Sequence, residues 1–306
     1  RWTEQMTRFL FPALVAISAM PALAQDGATG LSHSGEVKLE YVDANSNMLA
    51  FRGDAAMSWR SGGLLGFDAS VDTIHTDEGD DFTNFWAAAV FTMGSSEVAI
   101  GAPRPLLDSL RVNPRFSTSR LIDLETSFLR GPLTTIASAQ DNGMTPGLTY
   151  KYNSGDLTFG AGYHHLNDGS GVNLFEGIMR YDGAGTSYFI SAEYADTSSS
   201  NVTFLQIGAL HDSDRFDAGV TLGKVRSSGA IHTLRLYGAF DVMQSLTLRG
   251  DVLMVEKAED IYSLSATYTM DSGLFVEGGG TVLNGSDEIY DIGVGFKFCS
   301  GRCSDW

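Results

Sequence analysis

From about residue 36 to residue 298 the chain repeats one unit: a segment of about ten residues in which apolar and polar side chains alternate, followed by a turn. Side chains alternate across a β-strand and recur every 3.6 residues around a helix, so a period of two rules out helices over these segments. In 288–298, Tyr290, Ile292, Val294, Phe296 and Phe298 share one face, while Asp291, Gly293, Gly295 and Lys297 share the other. In 261–270, Tyr262, Leu264, Ala266, Tyr268 and Met270 alternate with serines and threonines. The segments 246–254 and 187–194 behave in the same way.

Alternation alone fits a soluble sandwich as well as a membrane barrel. Three features favour the barrel. Many segments run to 9–12 residues, which suits tilted strands crossing a bilayer. Aromatics close the apolar faces, as with Tyr188 and Tyr194, Tyr262 and Tyr268, and Tyr290 and Phe298, where interfacial girdles belong. The other face carries charges that a packed sandwich core would reject and a watery lumen accepts. Although 43% of the residues are hydrophobic, no internal apolar run reaches the roughly 18 residues of a membrane helix.

The segments fall at about 36–43, 48–59, 63–74, 82–93, 96–102, 146–153, 157–167, 174–182, 186–196, 202–211, 215–226, 231–243, 246–256, 260–270, 274–283 and 288–298. Their number, sixteen, is even, as a closed antiparallel barrel of the bacterial type requires. Every second connection is tight, for example Gly94-Ser95 and Gln244-Ser245; the others are generally longer or more acidic. One connection, at about 103–145, is far longer than the rest and falls on the long-loop side. The fold expected is therefore all-β: one transmembrane antiparallel barrel over 25–298.

The N-terminus reads as a secretory signal over 6–24. Met6, Thr7 and Arg8 precede an apolar stretch from Phe9 to Met20, and Ala22-Leu23-Ala24 supplies the small residues of a cleavage site before Gln25. Residues 1–5 lie upstream of the expected start. The two cysteines, Cys299 and Cys303, sit in a C-terminal tail expected over 299–306. They could close a small disulfide in an oxidising compartment, or their spacing could be incidental. A metal site is not expected, because no other ligand lies near them.

The net charge of −17 argues against a nucleic-acid partner, since phosphate contacts need a basic face. No GxSxG, HExxH or phosphate-binding glycine loop points to an enzyme or a cofactor. His164 and His165 are adjacent on a strand, so their side chains face opposite ways. Gly278-Gly279-Gly280 lies within a strand and reads as an aid to barrel curvature.

Closing a sixteen-strand barrel sets its first and last strands side by side. On the inferred lumen face, Lys38, Arg52 and Lys297 then become neighbours, with Glu36, Glu40, Asp54 and Asp291 available as counter-charges.

In three stretches the chain resembles the bacterial general porins, in particular those of the alphaproteobacterial, Rhodobacter type. Glu36-Val37-Lys38-Leu39 resembles their opening strand, Ser96-Glu97-Val98-Ala99-Ile100-Gly101 the strand entering the third loop, and Gly293-Val294-Gly295-Phe296-Lys297-Phe298 the closing strand. The resemblance implies that Tyr290, Phe296 and Phe298 form the signal read by the barrel-assembly machinery. Such porins end on the aromatic of that strand, whereas here Cys299 and seven more residues follow. The resemblance also implies that the long connection folds into the lumen, with Asp108, Asp123 and Glu125 as constriction acids facing the basic wall of Lys38, Arg52 and Lys297. It implies a homotrimer among outer-membrane lipids that passes ions and small hydrophilic solutes by diffusion, with a mild cation preference suggested by the acidic balance. The alternative is a closed barrel used as an adhesin or scaffold.

Overall fold

The computed structural model describes residues 30–300 apart from 45, 46, 80, 142, 143, 167–170, 197–200 and 284–287. The expected signal segment and residues 301–306 thus lie outside the described residues. Sixteen strands are present: β1 (Gly30–Asp43), β2 (Asn47–Arg60), β3 (Leu65–Thr76), β4 (Phe82–Met93), β5 (Ser96–Ala102), β6 (Gly147–Ser154), β7 (Leu157–Leu166), β8 (Val172–Asp182), β9 (Thr186–Asp196), β10 (Asn201–Asp212), β11 (Phe216–Arg226), β12 (Ala230–Met243), β13 (Leu246–Val255), β14 (Ile261–Thr269), β15 (Leu274–Leu283) and β16 (Glu288–Ser300). Each pairs with its sequence neighbours, and β1 with β16, to close the barrel. The seam runs antiparallel from His33 opposite Ser300 to Asp43 opposite Tyr290. Closure satisfies the backbone of both terminal strands and leaves no open edge.

Burial follows the period of two, but with the polarity of a soluble protein reversed. On β9, Tyr188, Ile190 and Tyr194 are exposed, whereas Ser191 and Glu193 are buried. The exposed set continues around the barrel with Leu205, Ile207, Leu222, Leu264 and Ile292. This belt is apolar on the outside, and each large aliphatic side chain gains roughly 1.5–3 kcal/mol when hydrocarbon replaces water around it. Aromatics flank the belt: Tyr41, Phe175 and Tyr290 towards one end, Trp59, Tyr152 and Tyr268 towards the other. Among the described residues no helix is long and apolar enough to cross a membrane.

The connections after the even-numbered strands span two to four residues. Those after the odd-numbered strands span three to five, apart from the long connection 103–146. The expected asymmetry between the two ends therefore resides almost wholly in one connection. That segment contains three helices: α1 (Leu106–Ser109), α2 (Arg120–Arg130) and α3 (Leu133–Asp141). Ser119 stands directly before α2 and Pro132 directly before α3, both favoured start residues. Two strand ends also differ from expectation. β1 begins at Gly30, and β16 continues two residues past Phe298 to Ser300.

Candidate functional site

Strand register sets the geometry of the inner wall. Lys38 lies opposite Arg52, and Glu36 lies between Lys297 on one side and Asp54 on the other. Closure therefore puts the three basic residues on adjacent strands. Their charges are taken up locally. Lys38 ion-pairs with Glu40 and with Glu277 at 2.7 Å, and donates to the Thr118 carbonyl at 2.6 Å. Arg52 reaches Glu36 at 3.2 Å and Asp54 at 4.0 Å. The Lys297 ammonium sits 5.1 Å from the centre of the Phe275 ring.

Asp108 and Asp123 have partners within the long connection. Asp108 accepts from Arg104 at 2.5 Å. Asp123 accepts from the Phe116 amide at 2.8 Å and pairs with Arg130. The Glu125 side chain lies outside the described residues. Asp108 and Asp123 thus each pair with an arginine of the same segment. The reason is local: Arg104 and Asp108 are four residues apart, the spacing of neighbours on adjacent turns, and Asp123 and Arg130 share one face of α2, where the long arginine side chain reaches back. Arginines of the segment also reach acids of the wall, Arg104 to Asp54 at 3.2 Å and Arg115 to Glu36 at 3.1 Å. The next residues continue the docking on β1 and β16: Thr118 donates to Asp291, and Ser119 donates to Glu40 at 3.1 Å.

A second set of charges lies nearer the tight-turn end, and sequence reasoning missed it. Arg60 makes two hydrogen bonds to Asp68, at 2.6 and 3.1 Å, and lies 3.6 Å from Glu97. Glu97 in turn pairs with Lys151 at 3.1 Å. This ladder of alternating sign crosses from β2 to β6 and remains partly open to solvent. Together with Ser58, Ser70, Trp86 and Arg104 it bounds a cavity of about 360 Å³. The signal was present in the alternation, because all four charges fall on the inward parity of their strands; their sequence separation hid them as a group.

The residues assigned to assembly lie on the outward face of β16. Tyr290 is exposed at the end opposite the tight turns. Phe296 pairs in register with Val37, and Phe298 with Gly35. Gly35 is needed there, because a Cβ would fall 2.3 Å from the Phe298 ring. Cys299 is disulfide-bonded within the strand, whereas Cys303 lies outside the described residues. His164 is buried and its Nε2 lies 2.9 Å from Glu176, while His165 contacts Asn173 on the outer face.

A closed barrel of sixteen antiparallel strands, apolar outside and charged within, has the architecture of a transmembrane β-barrel. Solved structures agree. The fold matches two variants of the Rhodobacter blastica porin, one with a TM-score of 0.64 at 17% identity, the other 0.62 at 16%, each covering 88% of this chain and 100% of the porin. A variant of the Vibrio cholerae outer-membrane protein OmpT lacking one loop matches with a TM-score of 0.63 at 11% identity, covering 89% of this chain and 100% of that one. No family model matches the sequence, and no curated protein matches it. The chain has the fold of these porins.

Proposed function

We propose that this protein is an outer-membrane channel that passes ions and small hydrophilic solutes through its barrel, with the long connection lying in the lumen and setting the passage. The observation that carries this reading is the inversion of polarity around a closed barrel: an apolar outer belt and an inner wall of paired charges, partly open to water at the tight-turn end. An adhesin or scaffold has no need of a wetted charged interior. Rings of charge are how pores discriminate among ions. In a chain of net charge −17 they favour a mild cation preference. Asp108, Asp123 and Glu125 remain the proposed constriction acids, and Lys38, Arg52 and Lys297 the proposed basic wall, with Asp108, Asp123, Lys38 and Arg52 held in place by salt bridges to their neighbours.

Outer-membrane lipids, the barrel-assembly machinery and two further copies of the chain in a homotrimer are the partners this reading carries. The deciding experiment is electrical. Protein reconstituted in planar bilayers should give discrete conductance steps in groups of three, and a reversal potential in a salt gradient displaced towards the cation value. Silence at every voltage, from both the full chain and a barrel with the long connection shortened, would favour the scaffold.

A further inference from the structure

Inward-facing residues include wetted charges and dry apolar side chains, and some of the dry ones, such as Val90 and Phe275, lie near the tight turns. The charges at the tight-turn end include Arg60, Asp68, Glu97 and Lys151, all partly exposed. Towards the other end the dry side chains include Ala50, Ile74, Leu174, Phe204, Val225 and Leu253, and each of these six is at most 3% exposed. Apolar side chains lining an open aqueous lumen would be wet. Four of the six are covered by the long connection: Phe116 packs with Leu253, Leu133 with Phe204 and Val225, and Ala137 with Leu174. Wall glycines admit the closest approaches. At Gly160 a Cβ would fall 2.3 Å from Leu106, and at Gly279 one would fall 2.6 Å from the Thr118 hydroxyl.

The polar fastening is concentrated at two carboxylates. Glu176 on β8 and Glu193 on β9 are directly opposite each other in register, and both are buried. Like charges so placed repel, and a buried carboxylate without donors is costly. Each finds its donors in the long connection. Glu176 accepts from the Leu106 and Leu107 amides at 2.5 and 3.0 Å, and His164 Nε2 lies 2.9 Å from the oxygen that takes the Leu106 amide. Glu193 accepts from the Leu133 and Thr134 amides and the Thr134 hydroxyl, each at 2.9 Å. These charge-assisted bonds hold the starts of α1 and α3. If the segment leaves, water can satisfy both carboxylates and both helix starts, so the fastening can open without stranding a buried charge.

Resting on the channel reading above, we infer that 103–146 is a releasable plug: seated on the dry collar it closes the barrel, and the Glu176–Glu193 pair is the clasp that holds it. Conduction then requires the plug to move.

Three forms test this in planar bilayers: the full chain, the Glu176→Gln/Glu193→Gln double variant, and a barrel in which a short Gly-Ser link replaces 104–145. The full chain should open rarely and the linked barrel continuously, with the double variant raising open probability at least tenfold over the full chain. Cysteine labelling checks the geometry independently. Leu174→Cys should react with a water-soluble maleimide at least tenfold faster in the linked barrel, while Ser58→Cys on the cavity wall should react equally in both. A full chain that conducts as steadily as the linked barrel overturns the plug but leaves the channel reading standing. A linked barrel that folds, labels at Leu174→Cys and still fails to conduct overturns the channel reading itself. A double variant indistinguishable from the full chain overturns the clasp. If the linked barrel does not fold, rapid labelling of Leu174→Cys in the full chain is enough to overturn the plug.

Discussion

Replacing Asp251 by asparagine would remove half of a buried ion pair of the barrel wall. Arg235 is 3% exposed and donates to both Asp251 carboxylate oxygens, at 3.0 and 2.5 Å. Its guanidinium also donates to the Arg115 carbonyl at 3.1 Å and lies within 5.6 Å of the centres of the Phe116 and Tyr237 rings. Removing one partner of a buried pair leaves an uncompensated charge and costs about 3–5 kcal/mol, whereas replacing both by well-packed apolar residues is often neutral. Because the Arg115 carbonyl and the two rings still support the cation, the lower end applies: Asp251→Asn should destabilise the barrel by about 3 kcal/mol. The Arg235→Met/Asp251→Leu double variant should lie within about 1 kcal/mol of the parent. Urea unfolding from lipid vesicles, followed by tryptophan fluorescence and circular dichroism, measures both. If the single variant costs less than about 1 kcal/mol, or the double variant costs the sum of its two singles, the pair is not acting as a desolvated unit.

Phe298→Ser should reduce outer-membrane levels more than deletion of residues 301–306, because it strips the ring that packs over Gly35; equal levels on immunoblots would show that the assembly signal lies elsewhere. Neutralising Asp68 and Glu97 together should shift the reversal potential towards anions, and neutralising Arg60 and Lys151 should shift it towards cations; no shift in either would take the ladder off the solute path. Gly160→Val should displace Leu106 and speed maleimide labelling of Leu174→Cys severalfold; unchanged labelling would mean that the plug does not depend on that approach. Asp123→Asn should loosen the 103–146 segment, seen as faster hydrogen exchange at the Phe116 amide; unchanged exchange would mean that this carboxylate does not hold the segment.

The period of two determined most of the barrel. Once Tyr188, Ile190 and Tyr194 share a face opposite Ser191 and Glu193, both sides of β9 are assigned, and the same logic assigns the other strands. Turn residues such as Gly94-Ser95 then delimit the hairpins, and an even strand count closes the sheet, so Lys38, Arg52 and Lys297 had to become neighbours. β1 escaped at its start because Gly30, Ser32, Ser34 and Gly35 dilute the alternation that marks the later strands. Within 103–146 α1 and α3 are too short to disclose a period, whereas Leu121, Ile122, Leu124, Phe128 and Leu129 of α2 do recur at helical spacing, a signal obscured by the two-residue rhythm around it. Charge partners were decided only by the closed barrel. A side chain's parity tells which way it points, but Glu193 meets the start of α3, and Asp123 meets Arg130 rather than Lys38, because pairing depends on distances between strands and helices far apart in the chain. The pairing of Glu176 with Glu193 belongs to the same class: two glutamates seventeen residues apart become opposite neighbours only when the β8–β9 register is set.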